Sequence, residues 1–120
     1  MTCPPDVAFS MFRSWKEERT LLSVILTVPV APGTPIIGLR LEARVAEVEG
    51  DDAVEMESER GRLLLNLRGV RFLFATPEEA EDPEVRARVT RRFKEVLEAE
   101  WPDGAGRCLF SARRADTQEA

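Results

Sequence analysis

The chain has 120 residues, a net charge of −5, 43% hydrophobic and 32% charged side chains. That length and apolar fraction suffice for one buried core, and no apolar run approaches the roughly 18 residues a membrane-spanning helix needs. Histidine and tyrosine are absent, which excludes Ser–His and Cys–His nucleophile pairs and His-ligated metals.

An enzyme would therefore have to rely on carboxylates, Lys16, Lys94 or arginines. None of the phosphate-cradling glycine loops or nucleophile elbows occurs. The expectation is that the chain is not an enzyme. Cys3 and Cys108 are too few and too far apart for a disulfide framework or a four-cysteine zinc site. They read as a free thiol near a flexible N-terminal end and a small apolar residue in a strand. Met1 to Ser14 lacks a basic start followed by an apolar stretch, so a cytoplasmic location is the default expectation.

Pro4 to Arg19 predicts a helix. Proline suits its first turn, Asp6 complements its N-terminal end, and Phe9, Phe12 and Trp15 form an apolar stripe. Thr20 to Val30 is rich in β-branched residues and predicts a strand, with Leu22, Val24, Leu26 and Val28 on one face. Ala31 to Pro35 is a loop. Ile37 to Gly50 predicts a long strand whose inward parity changes: Leu39, Leu41, Ala43 and Val45 are apolar, then Ala46 and Val48. A tight turn at Glu49 to Ala53 leads into a return strand, Ala53 to Glu59, with Val54 and Met56 inward. Gly61 to Pro77 changes parity again at Gly69, from Leu63, Leu65 and Leu67 to Val70, Phe72 and Phe74. Such changes suit strands bent by a bulge or a glycine kink. Residues 20–75 therefore predict an antiparallel meander of four or five strands, bent into a small barrel or half-barrel.

Thr76 to Pro102 predicts an amphipathic helix near residues 83–100. Asp82 is its N-cap, Pro83 its first residue, and Val85, Val89, Phe93, Val96 and Leu97 its stripe. Gly106 to Arg113 predicts a short last strand pairing with an edge of the sheet. The fold class is α+β, with residues 1–113 as one domain and 114–120 as a disordered tail.

Charge is uneven. Residues 1–60 carry 6 basic and 11 acidic side chains, residues 61–120 carry 11 of each. Seven carboxylates fall between Glu47 and Glu59. They predict a solvated hairpin, with Glu49, Asp51 and Asp52 as candidate ligands for Ca²⁺ or Mg²⁺. Arg86, Arg88, Arg91 and Arg92 are a candidate surface for an anionic partner.

Leu67, Arg68 and Gly69, after an N-terminal helix and a bent meander, resemble the arginine–glycine pair of Sm-like small barrels, where it joins the fourth and fifth strands. The resemblance implies an Sm/SH3-like barrel, assembly through strand pairing between neighbours, and a nucleic-acid surface at Arg62, Arg68 and Arg71. Sm-like RNA binders also carry an aspartate and an asparagine after their second strand, where this chain has Glu49-Gly50-Asp51-Asp52. The net charge of −5 also opposes nucleic acid. A non-catalytic binding or assembly module is the first expectation, acting through protein contacts, self-association or a small ligand. A nucleic-acid-binding protein is the second, and a carboxylate enzyme the third. No cofactor and no membrane partner is implied.

Overall fold

A computed structural model describes residues 2–29, 36–75 and 93–113. Its elements are β1 (Thr2–Cys3), α1 (Pro5–Glu18), β2 (Leu22–Pro29), β3 (Ile36–Glu49), β4 (Ala53–Ser58), β5 (Gly61–Asn66), β6 (Arg71–Ala75), β7 (Phe93–Glu100) and β8 (Arg107–Arg113). The eight strands form one antiparallel sheet in the order β1-β6-β7-β8-β2-β3-β4-β5. The α+β class with an N-terminal helix holds, and no described helix is long and apolar enough to cross a membrane.

α1 begins as its sequence dictates. Pro4 and Pro5 enter it without needing an N–H partner, and Asp6 sits in the first turn. It ends at Arg19, which adopts a left-handed conformation with φ 56°. The Arg19 and Thr20 N–H groups return to Lys16 and Trp15 carbonyls at 3.2 and 3.0 Å. Arg44 Nε donates to the Arg19 carbonyl at 3.1 Å, tying the helix end to β3. Ala8, Phe9, Phe12 and Trp15 are wholly buried. Phe12 meets Phe110 of β8 edge-on at 5.1 Å and Phe9 meets Phe72 of β6 at 5.9 Å. Each such ring pair adds about 0.5–1.5 kcal/mol beyond area burial.

The parity change in β3 is a β-bulge. Val45 pairs with Met56 and Glu47 with Glu55, leaving Ala46 as the extra residue. The change at Gly69 is instead a turn: Val70 N–H donates to Leu67 C=O at 3.3 Å, and Gly69 has φ +75°. Leu65, Leu67, Val70 and Phe72 are buried on both sides of it, so both inward sets are as the alternation indicates.

β5 and β6 do not pair with each other. They stand near opposite ends of the hydrogen-bonded order, yet only Leu67 to Val70 separates them. A link that short spans about 15 Å or less, so the sheet curls around α1. Trp101, just after β7, closes part of the gap by donating its indole N–H to Asn66 C=O at 3.2 Å. Among the described residues the sheet is not closed: β1 and β5 are its two ends.

Three expectations need correction. Residues 93–100 are strand β7, not helix; 76–92 lie outside the described residues. β7 supplies the backbone partners of β6 and β8, and Leu97 and Ala99 alternate into the core. β8 is internal, between β7 and β2, rather than an edge strand. Cys3 is buried in β1, opposite Phe72, rather than loose near the terminus. The proposed tail, 114–120, lies outside the described residues.

Candidate functional site

The acidic hairpin joining β3 to β4 is used within the chain. Arg13 of α1 donates to Gly50 C=O at 2.6 Å and to Asp51 at 2.9 Å, while Lys16 reaches Glu47 at 3.3 Å. Asp52 faces Arg68 at 3.4 Å. Glu49, Asp51 and Asp52 therefore do not act as a set: two of the three meet arginines. Among the described residues no three acidic or cysteine side chains gather to hold a metal ion.

Arg62, Arg68 and Arg71 do not converge either. Arg62 bridges Glu55 and Glu57 on β4 at 2.8 Å each. The hydrogen bond to Glu55, helped by the charge of Glu57, raises the Arg62 guanidinium above its ordinary value. Arg62 lies near the start of β5 and Arg68 in the turn beyond its far end. Arg71, exposed at the start of β6, stands opposite Glu100. Arg86, Arg88, Arg91 and Arg92 lie outside the described residues.

Two shallow grooves flank α1. One, lined by Val7, Met11 and Glu95 among others, lies between the helix and β7. The other sets Lys16, Arg19, Arg44 and Arg62 against Glu17, Glu47 and Glu57 around the Ala46 bulge. The charges there largely cancel, and both grooves are open to solvent.

Neither thiol is poised for chemistry. Burial pushes Cys108 up to about 12 and also raises Cys3, where the nearby Asp6 charge adds to the effect. A reactive cysteine needs the opposite shift.

The feature that residue types alone did not single out is the outer edge of β5. Leu67 N–H donates to Asp52 C=O at 2.7 Å. Backbone bonding direction alternates along an antiparallel strand. Gly61, Leu63 and Leu65 therefore bond toward β4, and Arg62, Leu64 and Asn66 turn their N–H and C=O groups away. The Trp101 bond to the Asn66 carbonyl agrees with that alternation. Among the described residues nothing pairs with Arg62 or Leu64 along this edge. The Leu64 side chain is 67% exposed.

Edge strands in soluble proteins are commonly blunted by charge, proline, bulges or short length. β1, at the other end of the sheet, is only two residues long. β5 has six residues in regular register with β4, and its centre is three consecutive leucines. The run "RLLLN" was the available signal: a short β-prone stretch without proline or internal charge.

No protein-family model, curated protein or solved structure matches this chain.

Proposed function

We propose that the chain is a non-catalytic binding or assembly module, a helix-filled half-barrel that takes an extended strand along the outer edge of β5, to which no described strand pairs. The observation that carries this reading is the backbone of Arg62 and Leu64, turned outward beside an exposed leucine on a regular strand. Strand addition to such an edge gives affinity through main-chain hydrogen bonds and selectivity through alternate side chains. The raised thiols and the intramolecular pairing of the acidic hairpin favour a binding role over a catalytic one.

Assembly of the Sm-like kind, which joins a fourth strand to a fifth, draws less support. The corresponding fifth strand, β6, is flanked by β1 and β7, so among the described residues the edges are β5 and the two-residue β1, and only β5 is long enough to take a strand. Nucleic-acid contact through Arg62, Arg68 and Arg71 also draws less, because two of these arginines already face carboxylates.

A photo-crosslinking amino acid placed at position 64 tests the reading in cells. The expected result is a protein adduct at that position, lost when Arg62→Pro removes a neighbouring outward N–H without touching the backbone bonds to β4, and kept in Arg62→Ala, which loses only the side-chain bridges to Glu55 and Glu57. Adducts that persist in Arg62→Pro, or no protein adduct, would remove the reading.

A further inference from the structure

We infer that the occupant of the β5 edge is a second copy of β5, paired antiparallel about a two-fold axis at Leu64. This rests on the edge reading above and names its partner. Outward-bonding residues of an antiparallel pair must face outward-bonding residues. That rule restricts Arg62, Leu64 and Asn66 to one another.

Centring the pair on Leu64 sets Leu64 against Leu64, Arg62 against Asn66, and Leu63 against Leu65. No like charges stand directly opposite, and every apolar residue meets a leucine. The strand is thus complementary to its own reverse, as an isologous contact requires. Moving the axis to Leu63 would set Arg62 against Leu64 and bring the two Arg62 side chains onto the diagonal, where like charges repel. Each Arg62 is also already neutralised by Glu55 and Glu57 of its own chain, so it can lie along a shared sheet without an unpaired charge. Trp101 occupies one lone pair of the Asn66 carbonyl; the Asn66 N–H and both groups of Leu64 remain for the second copy.

A six-residue strand buries less than the roughly 1,000 Å² of a stable interface. The dimer is therefore weak and concentration-dependent. Sedimentation equilibrium of the full chain, from about 10 μM to about 1 mM, should show the mass rising toward twice that of the chain. Leu64→Lys and Leu64→Glu, at an exposed position and with the fold checked by circular dichroism, should each weaken association at least about tenfold. An equimolar mixture of the two should restore it, because opposite charges then meet at the axis.

Three results would overturn the inference. One is a monomer at every concentration. Another is a mixture no tighter than either variant alone. The last is Leu64→Glu associating more tightly than wild type, as the Leu63-centred register with Arg62 opposite would give. A monomer that still yields a position-64 adduct to another protein would leave the edge reading standing and remove only self-pairing.

Discussion

Trp15, the last buried aromatic of α1, donates its indole N–H to Glu95 Oε1 of β7 at 2.7 Å. Glu95 stands next to Lys94, which a second register shift leaves as the extra residue of β7. Lys94 in turn reaches Glu18 of the helix at 3.0 Å. The bulge thus turns two successive side chains of β7 toward the same end of α1. Trp15→Phe keeps most of the ring packing and removes the donor. The expected cost is about 1–3 kcal/mol, combining lost volume with the lost bond to a carboxylate. Urea unfolding followed through Trp101, then the only tryptophan, measures it. An unchanged midpoint would mean that water replaces the bond at no cost.

Deleting Ala46 tests why β3 is bulged. The pairs Val45–Met56, Glu47–Glu55 and Val48–Val54 can all survive the deletion, because Ala46 has no partner on β4. What is lost is the local bend. That bend accompanies the placement of Glu47 and Asp51 near Lys16 and Arg13. The expected outcome is a folded protein less stable by about 1–3 kcal/mol. A deletion as stable as wild type would show that a straight strand serves equally well.

Gly69 is a test of backbone rather than space. A Cβ there would meet nothing within 4 Å, but φ is +75°. Gly69→Ala should therefore cost about 1–2 kcal/mol through left-handed strain alone, and Gly69→Asn should cost less. Equal midpoints for both variants and wild type in thermal melts would contradict the turn geometry.

Cys108 makes a pH prediction. Its folded value of about 12 lies above the ordinary 9.0. Its contribution is fully present below the unfolded value and is lost as pH rises toward the folded one, because the unfolded chain ionises first. Stability should fall by about 1–2 kcal/mol between about pH 8 and about pH 10. Cys108→Ala should flatten that part of the profile. Parallel profiles for the two proteins would show that other groups set the alkaline limit.

The sequence was most legible where side-chain period and backbone geometry agree. The Phe9, Phe12 and Trp15 stripe gave α1, and the apolar shift from Val45 to Ala46 gave the bulge. It was least legible in β7. Phe93-Lys94-Glu95-Val96-Leu97-Glu98-Ala99-Glu100 is made largely of good helix formers, and Val89, Phe93 and Leu97 repeat at helical spacing. The bulge at Lys94 also breaks the strand alternation that would have betrayed it. The backbone needs of β6 and β8 override these local preferences. The same blindness hid the β5 edge: which strand lies outermost depends on β7 and β8 entering the sheet between β6 and β2, a non-local fact that no window of sequence contains.

Amide hydrogen exchange, resolved residue by residue along β5, tests the central claim most directly. Leu63 and Leu65 donate to β4 and should be protected at every concentration. Among the described residues nothing accepts the Leu64 N–H, so its amide should exchange fast in the dilute chain and slow as concentration rises. A Leu64 amide as protected as its neighbours at high dilution would show that the chain itself covers the edge. A Leu64 amide that stays fast at about 1 mM would show that no second copy pairs there.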